Sequence, residues 1–175
     1  MMPVASAGAQ APAPPGAMPS ANAGTMATTA VPTAQGPGLA WTAPPRWAVG
    51  AANPMRKATY ELPGEGGNVE LTITAFPSDV GGELANVNRW RGQVQLPLLA
   101  EADLSAAITR QEQNGLQLAI VDCGGAGAQA QRILGAIVPF SGGTWFFKLA
   151  GADARVAEAR PEFLEFLKTV RPAQP

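Results

Sequence analysis

The charged residues of this chain all follow residue 45, and this uneven distribution limits where a folded domain can lie. The first 45 residues contain no Asp, Glu, Lys or Arg, so all 25 charged residues occur from Arg46 onward. Seven prolines are spread over residues 1–39. Such a segment buries too little apolar surface to offset the entropy lost on ordering, and its prolines oppose the helix that its alanines would favour. We expect a disordered Ala/Pro-rich tether over residues 1–39 and a single domain over residues 40–175.

The composition also excludes several classes of function. A formal net charge of −1 gives no basis for binding nucleic acid or an anionic membrane. The chain has no run of the roughly 20 apolar residues that a transmembrane helix needs. It has no histidine, and its carboxylates are scattered, so we expect no catalytic residues, no metal site and no cofactor. The single cysteine, Cys123, follows an apolar run and is predicted to be a buried, unreactive thiol.

The start of the chain, MMPVASAG, has neither the basic nor the apolar region of a signal peptide. An uncharged Ala/Pro-rich segment before a compact domain is nevertheless typical of exported or surface-anchored bacterial proteins. We therefore expect the bacterial cell envelope or the periplasm as the location. This expectation requires a leader or a lipid anchor encoded upstream of Met1, which the genomic sequence would reveal.

Alternating apolar residues predict two β-hairpins. Residues 56–62 and 69–76 each place apolar side chains on one face, and Pro-Gly-Glu-Gly-Gly between them is a strong turn signal. Three further strands are predicted in the C-terminal half, from LQLAIVDC, RILGAIVPF and TWFFKL. The last two are separated by Ser-Gly-Gly at residues 141–143, which predicts the second hairpin.

Helices are predicted between and after these strands. Apolar residues recur at helical spacing over residues 82–94 and 101–112, and Asn114-Gly115 follows as a stop signal. The last helix is predicted to begin at Pro161, with acidic residues in its first turns, basic residues near its end and one apolar face. The order β-β-α-α-β-β-β-α predicts an α+β fold in which helices cover an antiparallel sheet.

The densest cluster of hydrogen-bonding side chains lies in the first predicted helix, in the run NVNRWRGQ at residues 86–93. Helical spacing places Asn86, Arg89 and Gln93 on the side facing solvent. We expect a binding surface for a protein partner here, with the indole partly buried beneath it. The residues predicted to form it are Asn86, Asn88, Arg89, Trp90 and Arg91. Arg89 would offer a planar fork of donors to a carboxylate or phosphate, and the amides would fix the orientation.

Arg91 has two possible roles, because helical geometry places it in the same arc as the apolar Leu84 and Val87. A guanidinium there must reach solvent or find acceptors, since a buried unpaired charge costs several kcal/mol. In the structural role, Arg91 binds backbone carbonyls or one of three candidate carboxylates, Asp79, Glu83 and Asp122. In the functional role, it belongs to the binding surface.

The other aromatic residues are expected to be structural. Trp41 and Trp47 are predicted to fix the domain entry against the core, and Trp145 to pack inside it. Lys148 lies on the opposite strand face from Trp145 and is predicted to be solvated. The alternative is an aromatic platform for a ligand, built from Trp90 and Trp145.

Four segments occur in a fixed order along the domain: Trp47, MRKATY at residues 55–60, NVNRWRGQ at residues 86–93 and GTWFFKL at residues 143–149. This order resembles a group of uncharacterised bacterial exported proteins, which carry an Ala/Pro-rich stretch after a lipoprotein-type leader. The closing pattern, an aromatic strand, a small turn and a helix ending in Phe-x-x-Phe-Leu, is also similar to the Mog1/PsbP-like α/β/α sandwich domains. The resemblance covers residues 41–171 and implies a non-catalytic domain that docks on a larger assembly or binds a ligand.

These patterns predict a non-enzymatic binding or accessory module tethered in the bacterial envelope. One alternative is a small-molecule pocket or an enzyme between sheet and helices, which requires Trp90 or Trp145 beside a carboxylate or lysine of shifted pKa. Another is a purely structural domain of an envelope assembly. The position of Arg89 and Arg91 separates these alternatives. Exposure on one flat face favours docking, a shared cleft favours a ligand, and burial with partners favours scaffolding.

Overall fold

A computed structural model describes residues 38–174 of the chain. The predicted tether, residues 1–39, lies outside the described residues except for Gly38 and Leu39. The elements follow the chain in this order: β1 (Leu39–Ala40), β2 (Ala48–Val49), β3 (Ala58–Leu62), β4 (Val69–Pro77), α1 (Gly82–Gln93), a 3-10 turn (Glu101–Asp103), α2 (Leu104–Ala107), β5 (Ile108–Gln113), β6 (Leu116–Gly124), β7 (Gln131–Phe140), β8 (Gly143–Ala152), α3 (Asp153–Lys168) and β9 (Arg171–Pro172).

The main sheet has seven strands in the order β2-β3-β4-β8-β7-β6-β5, and every neighbouring pair is antiparallel. The strands β1 and β9 form a separate two-stranded ladder that joins the two ends of the described domain. The predicted α+β fold, an antiparallel sheet covered by helices, is confirmed. Both predicted hairpins are present, as β3–β4 and β7–β8.

Each face of the sheet carries its own apolar core. Alternate residues of the strands pack with α3 on one face, where Phe147 and Phe163 are fully buried. On the other face, α1 packs through Val87 and Trp90 on residues of β5 to β8. Trp90 lies directly over Gly135 of β7. A Cβ atom at that position would come within 2.5 Å of the indole ring. The glycine therefore allows α1 to approach the sheet closely.

The helix predicted over residues 101–112 is wrong for most of its length. Only a 3-10 turn and the four-residue α2 are helical there, and the residues from Ile108 onward form β5, an edge strand of the main sheet. Asn114 and Gly115, the predicted helix stop, have φ angles of 51° and 76° and connect β5 to β6. Asn-Gly favours this two-residue hairpin turn, since both central residues need a positive φ angle. The C-terminal half therefore contributes four strands to the main sheet rather than three.

The C-terminal helix is longer than predicted. It begins at Asp153, and Pro161 lies inside it on an exposed position rather than at its start. Residues 153–160 are rich in Ala, Arg and Glu, which are strong helix formers. The helix then continues through the proline because its apolar face, including Phe163 and Phe166, is buried against the sheet.

A groove beside helix α1

Helix α1 covers only part of its face of the sheet, and a groove of about 230 Å³ lies where that cover stops. The apolar cluster under α1 draws its fully buried sheet residues from β5 to β8, whereas β4 contributes only the half-buried Phe76. The groove is lined on the helix side by Asn86, Arg89, Trp90 and Gln93. Its sheet side consists of Arg56, Thr72, Thr74, Phe76, Phe146 and Lys148.

The register of the strands determines what lies on the floor of this groove. Lys148 of β8 pairs with Thr72 of β4 on one side and with Gly135 of β7 on the other, and Thr72 in turn pairs with Thr59 of β3. These four residues form one row across the sheet and share one face. Since Trp90 covers Gly135, Lys148 is the first residue of the row that the indole leaves uncovered.

Three cationic side chains meet in the groove: Arg56, Arg89 and Lys148. Its described lining residues include no carboxylate. Arg56 makes an ion pair with Glu70 at 3.2 Å, between Nη1 and Oε1. Within residues 38–174, Arg89 and Lys148 have no carboxylate oxygen within ion-pair distance. The groove therefore presents two positive charges that form no direct ion pair with an acidic side chain of the described domain.

The cations are oriented by neutral amides of α1. Asn86 is 1% exposed, and its Nδ2 donates to the carbonyl oxygen of Gly82 at 2.7 Å. Its Oδ1 accepts from Nη1 of Arg89 at 2.9 Å, so one donor of the guanidinium is fixed and the others remain for a ligand. Gln93 has the same role for Lys148, whose Nζ donates to Oε1 of Gln93 at 3.0 Å. Such fixed donors lose little freedom when they bind an anion.

The environment of Lys148 disfavours its charged form. Burial lowers the pKa of this lysine below its ordinary value, and the neighbouring Arg56 lowers the pKa further, while Glu70 opposes both effects. The prediction that Lys148 is an ordinary solvated lysine is therefore wrong, because the side chain is half-buried at the edge of α1. One signal was present in the sequence, since Lys148 shares a strand face with the apolar Phe146.

Two of the predicted site residues stabilise a loop instead of facing the groove. Asn88 binds both backbone groups of Leu99, accepting from its N–H at 2.7 Å and donating to its carbonyl at 3.0 Å. Arg91 donates from Nε to the carbonyl oxygen of Pro97 at 2.7 Å. These contacts fix residues 95–100, which connect α1 to the 3-10 turn. Arg91 therefore has a backbone carbonyl as its partner, as the structural role requires, rather than any of the three candidate carboxylates.

The five predicted residues thus divide between two places. Asn86, Arg89 and Trp90 line the groove, whereas Asn88 and Arg91 support the loop. Asn86 was expected on the solvent side of the helix, but it is buried because its amide satisfies backbone carbonyls at the helix start. Trp90 is 5% exposed, which is deeper than expected. The sequence pattern did not identify Arg56 and Lys148 as neighbours of this cluster.

The tryptophans are arranged as structural residues. Trp41 and Trp47 pack at the domain entry, with the indole N–H of Trp41 donating to the Tyr60 hydroxyl at 3.0 Å. Trp145 is buried in the core under α3, whereas Trp90 is buried on the other face of the sheet. A common aromatic platform of Trp90 and Trp145 is therefore wrong. Cys123 is buried in the cluster under α1, and burial raises the pKa of its thiol, as expected for an unreactive cysteine.

No helix within residues 38–174 has the length and apolar character needed to cross a membrane. No family model matches the chain, and no curated protein matches its sequence. Among solved structures, LpqN from Mycobacterium tuberculosis superimposes with a TM-score of 0.51 at 11% identity, over 83% of this chain and 88% of that chain. This likeness shows a shared α+β fold.

Two other solved structures match less well. A protein from Bacteroides thetaiotaomicron has a TM-score of 0.44 at 10% identity, over 78% of this chain. This chain spans 45% of the length of that protein. PA94 from Pseudomonas aeruginosa has a TM-score of 0.43 at 9% identity, over 74% of this chain and 99% of that chain.

Proposed function

We propose that this chain is a non-enzymatic binding module of the bacterial cell envelope, and that the groove beside α1 holds an anionic group of its partner. The observation that carries the proposal is the meeting of Arg56, Arg89 and Lys148 in one groove whose described lining residues include no carboxylate. Cations left without acidic partners repel one another, and an anion relieves that repulsion. Two of them are already oriented by amides, so the donors are arranged before the anion arrives.

Two observations support the envelope as the location. The run NVNRWRGQ and the segments around it resemble bacterial exported proteins with a lipoprotein-type leader. LpqN, which shares the fold, is involved in cell envelope biogenesis. We extend both to this chain as part of the proposal.

A small-molecule pocket is the second candidate, because the groove contains Trp90 together with a lysine of lowered pKa. Its volume of about 230 Å³ is below the roughly 300–1,000 Å³ of pockets that enclose a drug-sized ligand. The groove therefore suits one charged group of a larger partner better than a whole organic ligand.

The test is capture of a partner by the immobilised full chain from separate envelope and soluble fractions of the source bacterium. The variant is Arg89→Gln combined with Lys148→Met, which removes both unbalanced charges. The matched control is Arg171→Gln combined with Lys168→Gln, which removes two exposed cations at the end of α3 and in β9. Circular dichroism and thermal melting first establish that all proteins fold.

We expect an envelope component that wild type and control retain and that the groove variant loses. The same component should be released by moderate salt, since exposed charges are screened over about 10 Å at 0.1 M. Equal capture by all three folded proteins would show that the groove is not the docking site. Capture from the soluble fraction alone would overturn the envelope part of the proposal.

A further inference from the structure

We propose that the anionic group held in the groove is a phosphate monoester in its dianionic form, and not a carboxylate. This inference rests on the proposed function, because it names the chemical class that the same groove takes. The shared chemistry is the phosphate itself, whether it belongs to a soluble compound or to a lipid head group.

The balance of charge favours a dianion. Glu70 neutralises Arg56, which leaves the charges of Arg89 and Lys148. A phosphate monoester carries about −1.5 to −2 at pH 7, which matches this pair, whereas a carboxylate carries −1. With a carboxylate bound, one of these two positive charges would remain unbalanced. That is costly here, because Lys148 is half-buried.

The donors in the groove also suit a group with several oxygens. Arg89 offers the guanidinium donors that Asn86 does not use, and Lys148 offers ammonium donors beyond the one bound to Gln93. Thr74 also lines the floor and carries a hydroxyl, whereas the hydroxyl of Thr72 donates to the carbonyl oxygen of Lys148 at 3.5 Å. A monoester has three terminal oxygens for these donors, and a carboxylate has two.

The shape of the site explains why the ester should extend outside it. Phe76 and Phe146 line the groove next to the cations. The volume of about 230 Å³ takes the phosphate with the first atoms of its ester, and the rest of the molecule must lie over the open part of the sheet. Recognition is then confined to the head of the ligand.

A dianion should also change the protonation of Lys148. The charged groups around this lysine are Arg56 and Glu70 on the sheet side and Arg89 on α1. Without ligand, burial and Arg56 lower the pKa of Lys148. A bound dianion favours the ammonium form and raises the pKa again, so binding at pH values around the lowered pKa should take up protons.

The affinity should therefore depend on pH in two directions. It falls below about pH 6, where the phosphate loses its second charge. It falls again as the pH rises through the lowered pKa of Lys148, because the ammonium is lost. In Lys148→Arg the alkaline decrease should disappear, since a guanidinium stays charged, while the acid decrease should remain.

The experiment is isothermal titration of the full chain at constant ionic strength with glycerol 1-phosphate, inorganic phosphate and acetate. Buffers of different ionisation enthalpy report the proton uptake. We expect acetate to bind at least about tenfold more weakly than the monoester, and Arg89→Gln and Lys148→Met each to weaken monoester binding by about tenfold or more. Arg171→Gln should leave the affinity unchanged.

Vesicles separate the two sources of phosphate. Phosphatidylcholine vesicles with and without phosphatidic acid are sedimented with the wild type and with Lys148→Met. Binding that needs both phosphatidic acid and Lys148 identifies a lipid head group, and soluble monoester binding without vesicle binding identifies a free phosphate; both outcomes support the inference.

Three outcomes would overturn it. Acetate binding as tightly as the monoester through Arg89 and Lys148 would leave an anion site but reject the dianion. Capture of an envelope partner through the groove without any phosphate binding would keep the proposed function and reject this ligand class. Monoester binding that is unchanged in folded Arg89→Gln and Lys148→Met would show that phosphate binds elsewhere.

Discussion

The face of the main sheet under α3 and the face under α1 are built by the same strands, but they are closed to different degrees. Under α3, apolar residues from β3, β4, β6, β7 and β8 belong to one continuous core. Under α1, the buried strand residues come from β5 to β8, and no helix within residues 38–174 covers β3 and β4 on this face. The cationic groove lies at that boundary. The groove thus arises because α1 covers less of its face of the sheet than α3 covers of the other.

A single strand shows how the sequence encodes this difference. The residues of β4 that face α3 are apolar and at most 1% exposed: Val69, Leu71, Ile73 and Ala75. The residues between them, which face the other way, are mostly polar: Glu70, Thr72, Thr74 and Phe76. The apolar face of β4 therefore packs in the core under α3, and its other face can be polar and line the groove.

The largest expected effect on stability tests whether the apolar cluster under α1 contributes to stability as a core does. Trp90→Ala should lower the free energy of unfolding by about 3–5 kcal/mol, because it empties the space between α1 and Gly135. Phe163→Ala on the α3 face should cost a similar amount. Urea denaturation measures both. A cost below about 1 kcal/mol for Trp90→Ala, but not for Phe163→Ala, would mean that α1 packs only weakly on the sheet.

The next effect separates the loop support from the groove. Asn88→Ala should cost about 1–3 kcal/mol, since it leaves both backbone groups of Leu99 without their partner. Asn68→Ala is the control, because its amide only contacts the exposed Glu61 at the surface. Thermal melting gives the stability. Anion affinity should not change in either variant, and a loss of affinity in Asn88→Ala would move this residue back into the binding site.

A smaller effect concerns the ion pair that connects α1 to the edge strand β5. Nη1 and Nη2 of Arg110 each donate to a carboxylate oxygen of Glu83 at 2.8 Å, and these bonds lower the pKa of Glu83. The stabilisation is present above the unfolded pKa of about 4.3 and is lost as the pH falls through the folded value. Because Arg110 is exposed and Glu83 is only partly buried, solvent screens the pair, so Glu83→Gln should cost no more than about 1 kcal/mol at pH 7 and less near pH 3.

Denaturation at the two pH values measures this difference, with Glu101→Gln as the control for a carboxylate outside the pair. An equal cost of Glu83→Gln at both pH values would contradict the ion-pair origin.

The smallest effect on stability is expected at Arg89, a residue proposed to bind the anion. Arg89→Gln should change the stability by no more than about 0.5 kcal/mol, since the guanidinium is exposed and, within residues 38–174, makes a single side-chain hydrogen bond, to Asn86. The same variant is expected to lose anion binding. A melting temperature lowered by several degrees would show instead that Arg89 is mainly structural.

Much of the fold could be predicted from local patterns. Alternation identified β3, β4, β6, β7 and β8, and helical spacing identified α1 almost to the residue. The edge strand β5 was not predicted, because the apolar residues of 101–112 fit the spacing of a helix as well as that of a strand. Pairing with β6 favours the strand from Ile108 onward. The Asn114-Gly115 turn contained that information, but it was interpreted as a helix stop.

The candidate site could be predicted only in part. Arg89 and Trp90 could be predicted from the sequence because they are neighbours on one helix. Arg56 and Lys148 could not be predicted as neighbours of α1, since their positions depend on the β3–β4 and β4–β8 registers, which no local pattern specifies. The burial of Asn86 could not be predicted from the sequence either, because its hydrogen-bond partners are backbone carbonyls at the start of its own helix.

The ladder of β1 and β9 determines which way the groove points relative to the chain. Leu39 pairs with Pro172 and packs in the core under α3, so the chain enters and leaves the described domain on that side. The groove opens on the other face. The two ends of the described domain and the opening of the groove therefore lie on opposite faces of the main sheet. An anionic group that entered the groove would not meet the β1–β9 ladder.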